Sequence, residues 1–439
     1  MQKMLFVTFD LTRPHDPQKS LAVASILATL KGDERLKFKY KFEHLSINVF
    51  TGEDWREKVR PFRLSEYSYI AISAYVWSEH YIDGFLAYLR ANGFSGKIIL
   101  GGYQIAGDTQ ESYKARYPLA DIFIEGSAEL KLLELLMGEP CSLREMSLPS
   151  VYLTGEIEIT QDMQMIRLET KRGCPYACSF CRHKGSVGDK IIEFDKNRVM
   201  EELRLAFSKG VKKINIIDPI FHVGKNYMDY LSEIISLCES KKADTIVSLQ
   251  CRLEFLASRK GRKFLELCKK GKFELEFGLQ TCDERESILI NRKNDFRRIK
   301  KALKMLNKAG ITHEISLIYG LPGQTLSSFS KGVKFLKRRS KAKIVAYPLM
   351  LLRGTQLFEE KEEYSFKEEE GEFGIPHVVE SSSFTRDDWL KMKEIASATA
   401  SNHPKTRILY LRSLFTPIAP KIPAIPHRSV GYLEKLQRQ

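Results

Sequence analysis

The sequence contains no run of about 18 apolar residues, the length that a helix needs to cross a bilayer. Its first apolar segment, Met4–Phe9, is followed directly by Asp10 and is too short for the hydrophobic core of a signal peptide. Both absences argue against a membrane protein and against a secreted protein. We therefore expect a cytoplasmic chain with no membrane partner.

Cysteine is scarce, with eight residues in a chain of 439. Five of the eight are scattered along the sequence, and their spacing does not suggest a disulfide framework. Most of these five lie in apolar or helical segments, where a free cysteine acts as a small hydrophobic side chain. This usage is typical of a reducing compartment. The five scattered residues are Cys141, Cys238, Cys251, Cys268 and Cys282.

A nucleic-acid signature is also missing, although the formal net charge is +15. The basic residues are spread over many segments, such as Lys269–Lys270 and Arg297–Arg298, as is typical of solvated helix faces. No basic patch is interleaved with aromatic residues, and no known nucleic-acid motif is present. We therefore do not expect a nucleic-acid partner, whereas an acidic substrate or a cofactor phosphate would suit this charge.

The other three cysteines form a compact C-x3-C-x2-C motif of Cys174, Cys178 and Cys181. The motif lies on a loop punctuated by Gly173 and Pro175. Cysteine thiolates are the usual protein ligands of iron–sulfur clusters, and three thiolates on four irons leave one iron free to bind a small molecule. A zinc site with His183 as fourth ligand is the alternative, but ligands so crowded in one loop rarely complete a tetrahedron.

The first 140 residues alternate short apolar strands with helical segments, which predicts an α/β domain at 1–140 built on an open, parallel, doubly wound sheet of the Rossmann-like or flavodoxin-like kind. Ligands of such sheets lie at the carboxyl ends of the strands. That edge carries Ser73, Gly101, Gly102 and Gly126, and the paired glycines also suit a tight turn. The five predicted strands span residues 4–9, 42–50, 67–77, 97–102 and 121–124.

The second half repeats a strand–helix unit six times, which predicts a partial (β/α)6 TIM barrel over residues 165–358, joined by a linker at 141–164. Residues 359–439 form a C-terminal region that we predict to be mostly helical, with a solvated Glu-rich run and a Pro-rich tail. The cysteine loop follows the first barrel strand, at the end where barrel active sites lie. The predicted strands start at residues 165, 213, 245, 273, 313 and 344.

The sequence resembles the radical S-adenosylmethionine (SAM) enzymes, and in particular the class with an N-terminal cobalamin-binding-type domain. The segment Arg172–Cys181 is similar to the family's cluster loop, including the aromatic Phe180 before the last cysteine. Weaker similarities are found at 217–219, 277–281 and 317–323. In the N-terminal domain, Gly101–Gly102 and the segment 124–126 are similar to stretches of cobalamin-binding relatives.

The resemblance implies a 4Fe–4S cluster on Cys174, Cys178 and Cys181, with SAM chelating the fourth iron and cleaved reductively to a 5′-deoxyadenosyl radical. It also implies cofactor contacts spread over the carboxyl ends of both sheets, but it names no catalytic residue for the substrate. The implied SAM contacts are Phe180, Asp218, Pro219, Arg252, Glu276, Gln280 and Ile318. The implied cobalamin contacts are Ser73, Gly101, Gly102 and Gly126.

One loop departs from the cobalamin-binding pattern. Relatives that ligate cobalt with a histidine carry D-x-H-x-x-G after the first strand, whereas here Asp10 is followed by His15 five residues later, with no matching glycine. Axial ligation by histidine is therefore not expected. Some relatives bind cobalamin without this motif, so the cofactor itself remains part of the prediction.

These observations predict a radical SAM enzyme that methylates an unactivated carbon with the help of cobalamin. A radical rearrangement, cyclisation or oxidation without methyl transfer is the alternative within the family. An RNA-binding or RNA-modifying protein is the alternative from another class, and net charge alone motivates it. The resemblance implies a small-molecule or peptide substrate and an electron donor such as flavodoxin or ferredoxin.

Overall fold

Two parallel sheets organise the computed structural model, which describes residues 1–160, 163–183, 190–241 and 243–401. The N-terminal sheet has the strand order β2-β1-β3-β4-β5, and all of its pairs are parallel. This is the flavodoxin-like order, with its topological switch point between β1 and β3, and it confirms the predicted fold. The strands are β1 Gln2–Asp10, β2 Tyr40–Asn48, β3 Tyr67–Ser73, β4 Lys97–Gly101 and β5 Ile122–Ile124.

Helices cover both faces of this sheet, which explains why β1 is an almost continuous apolar run rather than an alternating one. Met4 and Phe6 pack on one side against a cluster that includes Leu132. Leu5 and Val7 pack on the other side with helix residues such as Phe85. The helices of this half are Leu21–Gly32, Glu34–Lys37, Trp55–Val59, Glu79–Ala91, Gln110–Arg116 and Ala128–Met137.

The predicted linker is packed rather than extended. Its described residues contain a 3₁₀ turn at Glu145–Ser147, and Leu148, Val151 and Tyr152 are buried in the core cluster of the barrel. The Tyr152 hydroxyl also donates a hydrogen bond to the Arg167 carbonyl. This segment therefore adds apolar contacts that attach the N-terminal half to the barrel.

The second sheet has six parallel strands in sequential order, which confirms the predicted partial barrel. Along its fourth strand, fully buried residues that pack under the outer helices alternate with half-buried residues. The barrel strands, numbered 1 to 6, are Met165–Leu168, Lys213–Ile216, Ile246–Cys251, Phe273–Gln280, Thr312–Tyr319 and Lys343–Pro348. The barrel helices are Lys196–Ser208, Tyr227–Lys241, Leu253–Leu256, Arg259–Cys268, Glu284–Leu289, Phe296–Ala309 and Leu326–Arg339.

The C-terminal region combines helices with a small hairpin. Gln356–Glu359 is a short helix, and Arg386–Ser401 packs against the last barrel strand with Trp389 buried. Between them, Lys367–Glu370 pairs with Pro376–Glu380, so part of the Glu-rich run is a strand with exposed side chains. The Pro-rich tail lies outside the described residues. Within the described part of the chain, no helix combines the length and hydrophobicity that a membrane crossing requires.

Candidate active site

The cysteine loop begins where the chain leaves the first barrel strand. Lys171–Arg172 pairs with Ile192–Glu193 in a short antiparallel ladder, and Gly173 then turns the chain with φ 88°. Glycine adopts this left-handed conformation without steric cost. Cys174, Cys178 and Cys181 follow, all partly buried and none in a disulfide.

Backbone hydrogen bonds from three directions hold the loop in place. Within the loop, the Cys181 amide donates to the Cys178 carbonyl at 3.1 Å. The Ser179 amide donates to the Ile290 carbonyl at 3.0 Å, and the Ser179 carbonyl accepts from the Leu357 amide at 3.0 Å. The loop is therefore braced by the segment after barrel strand 4 and by the short helix after barrel strand 6.

Two arginines bring positive charge to the thiols. Burial raises the pKa of Cys174 and raises that of Cys181 to about 11, while the charge of Arg292 acts to lower both values. Arg292 is itself 7% exposed, and its Nη1 lies 3.6 Å from the Cys178 sulfur. Arg252 acts on Cys174 in the same direction. Cationic neighbours of this kind favour thiolates and stabilise the negative charge of a bound cluster.

The predicted residue Arg252 is thus at the loop, where its guanidinium lies 4.3 Å from the centre of the Tyr176 ring. Sequence reasoning missed Arg292, which also donates to the Gly278 carbonyl. The available signal was weak, because Arg292 lies on the connection after barrel strand 4, at the end of the barrel where site residues cluster.

The three thiols fit an iron–sulfur cluster, since they share one loop and lie beside arginine side chains. Among the residues that the structure describes, no group of three or more His, Cys, Asp or Glu side chains is placed to hold a metal ion. This finding applies to the three thiols as it does to the zinc set with His183, so the cluster ligands stay a prediction.

Asp218 supports the loop from beneath. Its carboxylate accepts hydrogen bonds from the Thr170 amide at 2.7 Å and from the Thr170 hydroxyl, and it pairs with the Lys171 ammonium at 2.8 Å. The side chains of Lys171 and Asp218 are 1% and 0% exposed. The Asp218 carboxylate is therefore buried and bonded to other protein groups, whereas the adjacent Pro219 lines a cavity described below.

Glu276 and Gln280, two of the predicted SAM contacts, lie at different depths along barrel strand 4. Gln280 ends the strand with φ 71°, a conformation that a residue other than glycine rarely adopts and that often marks a functional site. Glu276 lines a cavity together with the strand-starting residues Lys213 and Thr312. Glu276 is therefore nearer the amino ends of the strands than the cysteine loop is. Burial and the nearby Glu314 raise the pKa of Glu276.

The turn after barrel strand 5 is held by a buried polar network. The Gln324 side-chain oxygen accepts from the Gly320 amide at 2.7 Å, and its nitrogen donates to the Glu286 carboxylate at 3.1 Å. Glu286 also accepts hydrogen bonds from the hydroxyls of Thr281 and Ser328. This network fixes the turn that follows Ile318, one of the predicted SAM contacts. Ile318 and Phe180 are both half-buried and pack against the barrel core.

Replacing Gln324 by alanine is expected to lower the free energy of unfolding by about 1–3 kcal/mol, because a buried amide and a buried carboxylate each lose a partner. Denaturant unfolding would measure this loss. Gln356→Ala is the matched control, because Gln356 is exposed and its nitrogen donates to Glu360, its one side-chain hydrogen bond among the described residues. Equal effects of the two substitutions would contradict the assigned role of the network.

Paired charges join the cysteine loop to the N-terminal domain at both of its ends. Arg172 Nη2 lies 2.8 Å from Glu129 Oε1, and Ser25 donates to the same carboxylate at 2.7 Å. Arg182 Nη2 lies 3.1 Å from Glu125 Oε1. The residues that flank the three cysteines are therefore both tied to the segment that follows β5.

A cavity of about 470 Å³ lies between the two halves of the chain. It is lined by the carboxyl ends of the N-terminal strands on one side and by the cysteine loop on the other. Ser73 has a buried hydroxyl oxygen with no hydrogen-bond partner among the described residues, and it faces this cavity. The lining includes Thr8, Ser73, Gly101, Gly102, Gly126, Arg172, Gly173, Arg182 and Pro219.

All four predicted cobalamin contacts thus line one cavity. Gly102 also has a structural explanation, because with φ 108° a Cβ there would lie 2.5 Å from the Ala74 carbonyl oxygen. His15 is exposed and does not line the cavity, in agreement with the departure of its loop from the histidine-ligating pattern.

Residues 168–336 match the sequence profile of the radical SAM superfamily. The chain therefore contains a radical SAM domain at residues 168–336. The match contains the cysteine loop, the braced segment around Arg292 and the turn held by Gln324, so the resemblance seen in the cysteine motif is confirmed.

Two curated relatives of this chain are methyltransferases. One is the 2-(S-pantetheinyl)-carbapenam-3-carboxylate methyltransferase of Streptantibioticus cattleyicolor, 24% identical over 84% of this chain and 61% of that protein. The other is the cobalamin-dependent radical SAM methyltransferase TokK of Streptomyces tokunonensis, 22% identical over 89% of this chain and 64% of that protein. The chain spans somewhat less than two thirds of the length of either relative.

Solved structures show that this chain shares its fold with proteins that bind cobalamin. One is the radical SAM methyltransferase TsrM from Kitasatospora setae, solved with cobalamin and a [4Fe-4S] cluster. The superposition covers 83% of this chain and 75% of the TsrM chain, with a TM-score of 0.61 and 15% identity. The cobalamin-dependent SAM radical enzyme OxsB covers 94% and 70% at a TM-score of 0.64 and 14% identity.

Proposed function

We propose that this chain is a cobalamin-dependent radical SAM methyltransferase that transfers a methyl group to an unactivated carbon of a small-molecule or peptide substrate. The observation that carries the proposal is the interdomain cavity, because one wall is the ligand-binding edge of the N-terminal sheet and the other is the cysteine loop. A cofactor in this cavity would lie beside Gly173 and Arg182, which flank the three cysteines. The names of the two curated methyltransferases support the same reaction class.

When bound, the cluster with SAM supplies a radical that activates the substrate, and cobalamin supplies the methyl group. The residues of this chain bind and orient these groups. In this proposal Cys174, Cys178 and Cys181 hold the cluster, and the Arg252 guanidinium binds the SAM carboxylate. The apolar faces of Phe180 and Ile318 exclude water from the adenine side.

The cavity also suits a corrinoid on its own residues. Ser73 offers an unpaired buried hydroxyl, and a buried polar atom without a partner is costly unless a ligand or water satisfies it. The left-handed turn at Gly126, with φ 76°, brings backbone to the cavity wall. Lining residues of the N-terminal domain include no histidine. We therefore expect cobalamin to bind without a histidine from that domain.

Corrinoid binding can be tested without turnover. Replacing Ser73 by phenylalanine fills the cavity, so bound cobalamin is expected to fall about tenfold or more, equivalent to ~1.4 kcal/mol or more of binding free energy. The iron content should stay unchanged. Absorption spectroscopy of the anaerobic protein reports both cofactors, and Ser208→Phe, on an exposed helix end, is the matched control. Undiminished cobalamin in the Ser73 variant would contradict the assigned cavity.

Product stoichiometry tests the reaction itself. Methylation predicts S-adenosylhomocysteine and 5′-deoxyadenosine in equal amounts for each methylated product. Formation of 5′-deoxyadenosine without S-adenosylhomocysteine would instead support the rearrangement, cyclisation or oxidation alternative. Liquid chromatography with mass detection under anaerobic turnover separates the two outcomes.

A further inference from the structure

A surface patch beside the cysteine loop combines exposed apolar side chains with unpaired cations. We infer that this patch, Ile288, Leu289, Lys293, Arg297 and Arg298, is the docking surface for an acidic protein that carries one electron to the cluster. The inference rests on the proposed function, since reductive cleavage of SAM consumes one electron. In that step the donor is oxidised by one electron, the cluster is reduced by one electron, and no bond forms or breaks.

The apolar part of the patch is unusual for a protein surface. Ile288 is 58% exposed and the adjacent Leu289 is 38% exposed, both on the short helix Glu284–Leu289. Isolated exposed apolar residues need no explanation, but two large aliphatic side chains next to a cofactor loop suit the apolar centre of a protein–protein contact.

The patch is directly connected to the thiols. Ile290, the residue after Leu289, accepts the hydrogen bond of the Ser179 amide at 3.0 Å, and Ser179 lies between the second and third cysteines. The Asn291 side chain donates to the Ala177 carbonyl at 2.8 Å. A protein seated on Ile288 and Leu289 would therefore lie against the segment that braces the cluster loop. A short path of this kind favours electron transfer.

The charged part of the patch is strongly positive. Lys293, Arg297 and Arg298 are exposed, and they make no ion pair within the described ranges. The exposed carboxylates nearby are Glu284 and Asp295, and Asp295 accepts the Arg298 amide as a helix cap.

The positive charge continues along two outer helices of the barrel. Helix Phe296–Ala309 carries six Lys or Arg residues and no acidic residue. Helix Leu326–Arg339 carries five and again none. Such a surface attracts an acidic partner and speeds its association, and the attraction weakens with salt.

The chemistry of the patch favours a protein over a polynucleotide. Single-stranded RNA binds through aromatic side chains on which bases stack, whereas the exposed apolar residues of the patch are aliphatic. RNA binding would also give no reason for the patch to lie against the cluster loop. An acidic redox protein accounts for both the aliphatic pair and the surrounding cations.

The test compares two ways of reducing the same enzyme. Formation of 5′-deoxyadenosine is measured with reduced flavodoxin, an acidic one-electron donor, and separately with dithionite, which needs no docking surface. The patch variant is Lys293→Glu with Arg297→Glu. The matched control is Lys304→Glu with Lys308→Glu, which makes the same charge change farther along the helix that carries Arg297. Lys308 lies about 16 Å from Arg297 at 1.5 Å per residue.

With flavodoxin, the patch variant is expected to need about tenfold more donor for half-maximal rate, while the control changes by less than about twofold. Both variants should match the wild type with dithionite. A second variant, Ile288→Ser with Leu289→Ser, should also weaken flavodoxin-supported turnover while preserving dithionite-supported turnover. This second variant separates apolar docking from general charge effects.

Equal flavodoxin dependence in the patch and control variants would overturn the inference. Loss of RNA binding in the patch variant with unchanged flavodoxin kinetics would also overturn it and assign the surface to a polynucleotide. Failure of the proposed function gives different results. Without reductive SAM cleavage, wild-type protein forms no 5′-deoxyadenosine even with dithionite, and without methyl transfer it forms 5′-deoxyadenosine but no S-adenosylhomocysteine.

Discussion

Replacing any one of Cys174, Cys178 and Cys181 by alanine is expected to lower SAM cleavage by about a thousandfold or more, equivalent to ~4 kcal/mol in activation free energy. The three thiols lie on one braced loop, and the other five cysteines lie on other segments of the chain. A cluster with two protein ligands is held poorly and also loses its defined open iron. Formation of 5′-deoxyadenosine under dithionite measures the effect, and iron analysis reports the cluster directly.

Cys141→Ala is the matched control for these variants. Cys141 is a partly buried free cysteine, like the three ligands, but it lies after the last helix of the N-terminal domain. We expect normal iron content and normal SAM cleavage in this variant. A cluster of normal iron content in any of the three loop variants would contradict the ligand assignment.

Replacing Arg172 by methionine is expected to lower the free energy of unfolding by about 3–5 kcal/mol near neutral pH, because it leaves buried carboxylates without their cation. Arg172 pairs with Glu129 at 2.8 Å and with Glu169 at 3.0 Å. The Glu129 side chain is 4% exposed. Denaturant unfolding measures this loss of stability. The substitution weakens the contact between the cysteine loop and the N-terminal domain.

The same substitution carries a pH signature. Burial acts to raise the pKa of Glu129, but the charge and hydrogen bonds of Arg172 and the Ser25 hydroxyl lower it overall. A lowered folded-state pKa contributes stability above the unfolded-state value and loses it as pH falls. Without Arg172, burial raises the pKa of Glu129. Lower pH then protonates this carboxyl in the variant and removes the cost of burying an unpaired negative charge. The stability difference between wild type and Arg172→Met should therefore shrink from about pH 7 to about pH 5.

Arg182→Met provides the comparison for Arg172→Met. Arg182 pairs with Glu125 at 3.1 Å, but that carboxylate is 41% exposed and can be solvated when the arginine is lost. We expect a cost of less than about 1 kcal/mol. A stability difference for Arg172→Met that does not change with pH would contradict the role given to Glu129.

The sequence predicted the architecture because local patterns specify it. Continuous apolar runs such as that in β1 are typical of a sheet covered on both faces, and the six strand–helix repeats are typical of a barrel. The cysteine loop was equally local. The linker was harder to predict, because burial of Val151 and Tyr152 depends on the barrel surface that they contact.

The roles of individual site residues were less accessible, because they depend on contacts distant in sequence. The sequence suggests that Asp218 is a hydrogen-bond acceptor at a strand end. In the structure it is instead paired with Lys171, 47 residues earlier. Arg292 belongs to no motif, and its role is seen only from its contact with the Cys178 sulfur, 114 residues away in the sequence. Glu276 and Gln280 share a strand pattern, but that pattern does not report depth along the barrel.

The shared cavity was also beyond local patterns. The sequence placed a binding edge on each half of the chain, at Ser73 and Gly101 in one and at the cysteine loop in the other. The charge pair of Arg172 and Glu129 brings the two edges to a common cavity. No spacing or periodicity encodes that contact.

Electron paramagnetic resonance of the anaerobically reconstituted, dithionite-reduced protein is the decisive measurement for the three-cysteine cluster. We expect the signal of one reduced 4Fe–4S centre, together with about four irons per chain by iron analysis. We further expect that the signal shifts when SAM is added, because SAM binds the iron that no cysteine ligates. A protein that holds no cluster, or a cluster whose signal SAM leaves unchanged, would contradict the account.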